Sequence, residues 1–178
     1  MSRLSKNDHG ITEYRMVIRR GDLVSTPSSL SVGSASPAIA TLDGSGKGQG
    51  QIYRVAPDVE AGFATAANPV RPGESILIVA TGLGPTNPLV DEGKAVVAES
   101  RVGATGDVRV RIGNVLATDV SAWLVPGQIG LYFVSAAVPM DVSLGDAMPV
   151  VVAANGVESQ VVTIAVQAAI TPSARRVR

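Results

Sequence analysis

The sequence contains no cysteine and a single histidine, His9. Without cysteine the chain forms no disulfide, no thiolate metal site and no thiol nucleophile. His9 lies in an N-terminal segment that differs in texture from the rest, so a histidine-dependent catalytic constellation is not expected. The acidic residues are scattered over loops and outward strand positions, not paired across a cleft. The sequence therefore favours a non-enzymatic protein and predicts no catalytic residue, metal site or cofactor.

The sequence also lacks an excess of charge, since 15 basic residues balance 15 acidic ones. A nucleic-acid-binding domain usually carries a basic surplus, so a nucleic-acid partner is not expected. No apolar run approaches the length needed to cross a bilayer, and membrane insertion is not expected either. A signal peptide contains a continuous apolar run, and the first twenty residues contain none, so a signal peptide is not expected.

Aromatic residues are scarce, at 3%, although hydrophobic residues make up 46%. The core is therefore predicted to consist of small and β-branched side chains, which suit a pleated sheet. From Ser29 onward, short apolar runs are punctuated by Gly and Pro every eight to twelve residues. That spacing is typical of a β-sandwich. No segment keeps a helical period, so the predicted fold class is all-β.

Several runs are predicted to be individual strands. "ESILIVATG" has apolar residues at consecutive positions and is predicted to be a central strand with both faces covered. "DVRVRIG" alternates strictly, with Val108, Val110 and Ile112 inward. "MPVVVAANGVESQVVTIAV" predicts a hairpin about Asn155-Gly156. "PDVEAGFATAANP" has no clear period and is predicted to be an irregular crossing loop.

Four sequence blocks carry a resemblance: "NPVRPGESILIVATGLGPTNP", "VRIGNVLA", "VPGQIGLYFVSAAVP" and "GDAMPVVVAANGVESQVVTIAVQ". In this order and spacing they resemble the uncharacterised C-terminal domain family carried by large secreted proteins of acidobacteria. The resemblance implies tandem immunoglobulin-like modules of the IPT/TIG type, hence an immunoglobulin-like β-sandwich. It also implies an extracellular or cell-surface setting.

The resemblance divides the chain into three parts. Residues 29–167 are expected to form the immunoglobulin-like module, within which residues 29–42 resemble the end of a preceding module. Residues 1–28 do not match the family and are expected to be an irregular leader, as if much of the first module were missing. Residues 168–178 form a basic tail that is expected to be disordered.

The stretch "LDGSGKGQGQ" resembles a phosphate or calcium loop but fails both tests. A P-loop needs glycine where Thr41 stands and a hydroxyl residue where Gly48 stands. In a calcium loop Lys47 would occupy a ligand position, and Arg54 would replace the bidentate glutamate. The stretch is predicted to be a turn.

Two groups of residues are candidates for contact with a ligand or partner. Trp123, Tyr132 and Phe133 lie on either side of the Pro126-Gly127 turn. Packing between sheets is the favoured interpretation of this group, and a sugar-stacking platform is the alternative. Because adjacent strand residues face opposite ways, Tyr132 and Phe133 cannot both be inside.

The second group is the loop "TGLGPTNP", with Thr81, Gly82, Gly84 and Pro85 as candidates. Glycine and proline allow a tight, stiff loop after a central strand, and rigid scaffolds often present binding residues on such loops. A turn without function is the alternative interpretation.

The expected function is a structural or interaction module whose partner is an adjacent immunoglobulin-like module or another protein. A carbohydrate-binding module using an aromatic surface near Trp123 and Tyr132 is the alternative. Self-association is also expected, through an exposed strand edge at "SLSV" or "VVTIAV".

Overall fold

The computed structural model describes residues 2–6, 12–57, 59–91, 93–98 and 100–168. Every regular element in these ranges is a β-strand, which confirms the predicted all-β class. The same ranges hold no helix able to cross a bilayer. The chain divides into two compact units, Met1–Ala35 and Ser36–Arg178. The predicted basic tail lies almost entirely outside the described residues, as does His9.

The first unit is built from short antiparallel strands: β1 (Ser2–Lys6), β2 (Thr12–Met16), β3 (Arg19–Arg20), β4 (Leu23–Val24) and β5 (Ser28–Val32). A three-stranded sheet has the order β1-β2-β5, and β3 pairs with β4. The expectation of an irregular leader over residues 1–28 is wrong for these strands. Glu13 and Arg15 do alternate with less polar residues in β2, but the strand is only five residues long, and its partner β5 extends past residue 28. The unit ends at Ala35, later than the predicted boundary.

The second unit contains the remaining strands: β6 (Ala38–Ile39), β7 (Ile52–Ala56), β8 (Val59–Phe63), β9 (Ser75–Thr81), β10 (Thr86–Asn87), β11 (Gly103–Ala104), β12 (Val108–Ile112), β13 (Val115–Leu116), β14 (Thr118–Leu124), β15 (Leu131–Ala137), β16 (Gly145–Ala154), β17 (Val157–Glu158) and β18 (Val162–Val166). The large sheet has the order β10-β11-β14-β15-β9-β7-β8, and β6 also pairs with β9. The small sheet has the order β13-β12-β16-β17, and β18 also pairs with β16. All pairings between these strands are antiparallel.

Alternation along the strands places the core between buried faces of the two sheets. In β9, Ile76 and Ile78 are fully buried, while Leu77 on the other face is half-buried. β9 pairs with β15 on one side and with β7 and β6 on the other, so its predicted central position is confirmed. The core also contains fully buried residues from other strands: Ile52, Val110, Ile112, Val134, Val150, Val152, Val162 and Ile164. The predicted core of small β-branched side chains is thereby confirmed.

The predicted hairpin in the small sheet is confirmed at its turn. Asn155 and Gly156 have φ values of 51° and 80°, the two positive angles that a type I′ turn requires. β17 then pairs with the end of β16, and β18 returns along its beginning. The predicted alternation in β12 is also present, with Val110 and Ile112 fully buried.

Two expectations for strand edges need correction. The segment expected to be a crossing loop contains β8, which pairs with β7. The strand "VVTIAV", expected to offer a free edge, is hydrogen-bonded on both sides. Beyond its pairing with β16, Thr163 donates its backbone N–H to Gly48 at 2.7 Å, and Val70 donates to Ala165 at 3.0 Å. That edge is therefore paired with segments that lie outside the strands and that the sequence pattern did not predict to be near it.

A buried ion pair joins β7 to the segment that precedes β9. Arg54 points inward and is 7% exposed, and its partner Glu74 is 17% exposed. The Arg54 guanidinium donates through Nε and Nη2 to the Glu74 carboxylate at 2.7 and 2.6 Å, and through Nη1 to Asn68 at 3.1 Å. Burial raises the pKa of the Glu74 carboxyl, but hydrogen bonds from Arg54 and from the Arg71 backbone outweigh it, so the net pKa is lowered.

We expect Glu74→Ala to lower the free energy of unfolding by about 3–5 kcal/mol, because it leaves the Arg54 guanidinium buried without its partner. Glu158→Ala is the matched control, since it breaks the 2.8 Å salt bridge between Arg111 and Glu158. The Arg111 side chain is 37% exposed and the Glu158 side chain is 60% exposed. Loss of that exposed pair should cost less than about 1 kcal/mol. Urea unfolding followed by circular dichroism measures both values, and equal losses would contradict the assignment.

The stability difference caused by Glu74→Ala should also depend on pH. Because the pKa of Glu74 is lower in the folded than in the unfolded chain, its carboxylate stabilises the fold above the unfolded value of about 4.3. That stabilisation is lost as the pH falls through the folded value. The stability difference between the unsubstituted chain and Glu74→Ala should therefore shrink on acidification.

Candidate functional site

The loop that follows β9 is fixed by a close backbone approach at Gly82. The Ser36 N–H donates to the Gly82 carbonyl at 2.8 Å. Gly82 has a φ of 72°, and a Cβ at this position would lie 1.9 Å from the Ser36 carbonyl oxygen. Only glycine fits such an approach in the left-handed region. Thr81 and Gly82 therefore support the loop at its base, and Thr81 is exposed at the end of β9.

The loop is tied to the large sheet by Tyr132. Its hydroxyl donates to the Gly84 carbonyl at 2.7 Å, and its side chain is 6% exposed. Burial raises the pKa of the Tyr132 phenol, which keeps the donating proton in place. Next to it, the Pro85 carbonyl accepts hydrogen bonds from the backbone N–H and the hydroxyl of Thr105, both at 3.0 Å. The Gly84 and Pro85 carbonyls thus both accept hydrogen bonds from residues outside the loop.

The front of the loop lines a groove that we call the end groove. Its lining includes Gly84, Pro85, Leu89, Lys94, Ile129 and Tyr132. Its volume is about 190 Å³. Leu89 and Ile129 are 79% and 64% exposed, while Leu124 at its base is buried. The end groove therefore combines a fixed floor with two large apolar side chains that water contacts.

The structure separates the predicted aromatic group. Trp123 pairs with Phe133 across β14 and β15, whereas Tyr132 is opposite Leu124, so Trp123 and Tyr132 lie on opposite faces of the large sheet. A surface shared by Trp123 and Tyr132, as expected for the carbohydrate alternative, is therefore not formed. The prediction that only one of Tyr132 and Phe133 is inside is confirmed, since Tyr132 is buried and Phe133 is half-buried.

The outer face of the large sheet carries two aromatic pairs, which we call the aromatic face: Trp123 with Phe133, and Tyr53 with Phe63. The ring centroids lie 6.3 Å apart in the first pair and 4.6 Å apart in the second. The Arg101 guanidinium carbon lies 4.1 Å from the Trp123 ring centroid, in cation–π geometry. The guanidinium therefore occupies one face of the indole, beside a shallow depression of about 230 Å³.

A larger groove, of about 350 Å³, crosses the outer face of the small sheet. Its walls carry two ion pairs, Asp107–Arg109 and Arg111–Glu158, each with a 2.8 Å contact. Each guanidinium already has a carboxylate partner, so the groove offers little charge to a ligand. The end groove is therefore the better candidate, although it is smaller.

The glycine-rich stretch after β6 is a turn, as predicted. Gly44, Gly46 and Gly48 all have positive φ, and no strand is formed between residues 43 and 48. Hydrogen bonds from the backbone N–H and the hydroxyl of Ser45 lower the pKa of the Asp43 carboxyl. The Asp43 carboxylate thus serves the turn itself. Across the described ranges, no group of three metal-binding side chains is close enough to hold an ion.

Sequence reasoning located part of the end groove and missed the rest. Gly84, Pro85 and Tyr132 were predicted as candidates and do line it, whereas Leu89, Lys94 and Ile129 were not. A signal existed in "NPLVDEG" and "GQIG", where large apolar residues stand among turn-forming residues. Such residues are exposed whenever the loop has no other element to cover it.

No known protein family, curated protein or solved structure matches this chain.

We expect Gly82→Ala to destabilise the second unit more than Gly44→Ala does. Both glycines have a φ of 72°, so both variants pay the same left-handed penalty of about 1–2 kcal/mol. Only the Cβ at Gly82 meets backbone within 4 Å, because nothing lies that close at Gly44. Urea midpoints measure the difference. If the two variants lose equal stability, the close approach of the Gly82 and Ser36 segments is not present in solution.

Proposed function

We propose that the chain is a non-enzymatic interaction module, an immunoglobulin-like β-sandwich that binds a protein partner through the end groove. The observation that carries this proposal is the exposure of Leu89 and Ile129 on a groove whose backbone is already fixed. The antiparallel pairing and inward alternation of the two sheets support the sandwich assignment. The family resemblance supports a cell-surface or secreted setting, with an adjacent immunoglobulin-like module or another protein as partner.

The energetics of the end groove favour an apolar contact. Burying an exposed leucine or isoleucine side chain fully contributes about 1.5–3 kcal/mol. Two such side chains on one groove can therefore supply most of the energy of a weak, specific contact. Tyr132 holds the Gly84 carbonyl at 2.7 Å, so little ordering of the floor is needed on binding.

The size and charge of the end groove indicate what it holds. At about 190 Å³ it lies below the roughly 300–1,000 Å³ of small-molecule sites, so one aliphatic side chain of a partner fits better than a cofactor. Asp91 and Lys94 also line the groove and can bind the partner's backbone amides and carbonyls. The proposed occupant is thus an apolar residue in an exposed protein segment.

A titration with N-acetyl-leucine methylamide tests this proposal, using the amide resonances of the ¹⁵N-labelled chain. We expect shifts confined to the residues that line the end groove, and at least tenfold weaker binding after Leu89→Ser with Ile129→Ser. N-acetyl-glycine methylamide, which has the same backbone without the side chain, should cause no such shifts. Equal responses to both compounds, or shifts scattered over the surface, would contradict the proposal.

Carbohydrate binding is a second candidate, which the aromatic face favours. The pairs Trp123–Phe133 and Tyr53–Phe63 lie on one face of the large sheet, and aromatic rings stack on the apolar faces of sugars. Arg101 beside Trp123 supplies donors for sugar hydroxyls. This surface differs from the one expected from the sequence, because Tyr132 does not belong to it.

A screen against soluble glycans tests the second candidate through the indole N–H resonance of Trp123, the only tryptophan. If the aromatic face binds glycans, Trp123→Ala should abolish binding while the fold is retained. Tyr132→Phe is the control, since Tyr132 lies on the inner face and should leave glycan affinity unchanged. The absence of any glycan-dependent shift of the indole resonance would remove this candidate.

A further inference from the structure

β5 is an edge strand without the usual protection of an edge. It pairs with β2 on one side, and over the described residues no strand pairs with its other side. All five of its residues, "SSLSV", are exposed, and none is charged or proline. Natural edge strands are normally guarded by charge, proline, a bulge or a covering element. β5 has none of these within its length.

The opposite edge of the same sheet differs. β1 has a register shift against β2 between Arg3 and Ser5, and such a bulge disturbs the row of groups that another strand would pair with. Its sequence, "SRLSK", also includes two basic residues. The two edges of one small sheet are thus unequal, and only β5 offers a regular, neutral edge.

The register of β2 and β5 divides the sheet into an apolar and a polar face. Leu30 is opposite Tyr14, and Val32 is opposite Thr12. On the other face Ser29 and Ser31 lie opposite Arg15 and Glu13, in that order. Between residues 12 and 34 no residue is buried, so this unit is held mainly by backbone pairing. Additional pairing at β5 would therefore add the kind of interaction that the unit already depends on.

The pattern of β5 is self-complementary when two copies run antiparallel. A two-fold axis normal to the sheet would relate the two copies. Directly opposed side chains then lie on the same face of the sheet only if this axis passes through a residue position, and not midway between two residues. An axis at Leu30 pairs all five residues of the strand, placing Ser28 opposite Val32 and Ser29 opposite Ser31. A shift of the axis to Ser29 would pair Ser31 with Pro27, which has no N–H to donate.

We propose that β5 pairs antiparallel with β5 of a second copy of this chain, about a two-fold axis at Leu30. The two three-stranded sheets then become one continuous sheet of six strands. Such an interface is isologous, because the same edge serves both copies. A neutral strand that matches itself fits a second copy better than a charged partner. This interface is separate from the end groove, so either proposal can fail without the other.

Sedimentation equilibrium of the full chain tests the dimer. We expect the mass to approach twice the chain mass as the concentration rises, and Ser29→Lys with Ser31→Lys to return it to that of one chain. The introduced charges face each other across the axis and repel. Ser143→Lys, at an exposed loop position, should leave dimerisation unchanged. A concentration-independent monomer, or a dimer insensitive to the β5 substitutions, would overturn the proposal.

Cross-linking tests the register independently of affinity. The chain has no cysteine, so Leu30→Cys introduces a single thiol. Residues directly opposed in an antiparallel pair have Cα atoms about 4.5–5.5 Å apart, within the range that a disulfide spans. Mild oxidation should therefore link most of the Leu30→Cys chains into dimers. Leu23→Cys, which is 76% exposed and lies outside β5, is the control. Equal cross-linking of both variants would overturn the register.

Discussion

The buried pair of Arg54 and Glu74 links separate segments of the second unit through side chains. Arg54 stands on β7 where the alternation calls for an apolar residue, and its guanidinium binds both the Glu74 carboxylate and Asn68. Asn68 in turn donates to the Phe63 carbonyl at 3.3 Å. The pair thereby positions the end of β8 and the start of β9, two elements that have no ladder in common. A hydrophobic pair would fill the space but would not specify these partners.

The large sheet separates two kinds of surface by side-chain alternation alone. Tyr132 and Phe133 are neighbours in sequence, yet one holds the loop that lines the end groove and the other belongs to the aromatic face. A one-residue change of register in β15 would exchange them. The candidate sites therefore depend on the register of β15 with β9 and β14, which the continuous pairing of β9 and β15 over seven residues secures.

Local patterns predicted most of the second unit, and contacts distant in sequence account for what they missed. Val110 and Ile112 alternate with arginines in β12, and Asn155-Gly156 marks the turn between β16 and β17. Both the strand and the hairpin therefore follow from residues that are neighbours in sequence. The strands of the first unit were missed because each is only two to five residues long, so the alternation of Glu13 and Arg15 in β2 is too short to stand out. The close approach of Ser36 to Gly82 and the exposure of Leu89 depend on how separate segments meet. Contacts between segments that are distant in sequence cannot be predicted from local periodicity.

The closing of β18 has a consequence for vectorial synthesis. Val162, Ile164, Ala165 and Val166 are fully buried, and β18 bonds to segments near Gly48 and Val70. The side-chain amide of Gln160 also exchanges hydrogen bonds with the Ile39 backbone, 121 positions earlier. The hydrogen bonds between Ile39 in β6 and Gln160 can therefore form only after nearly all of this unit has been synthesised. Once β15 has left the ribosome, every strand of the large sheet has been made, but β16, β17 and β18 of the small sheet have not. During that interval the inner face of the large sheet lacks most of its cover, and exposed apolar surface of this kind promotes aggregation.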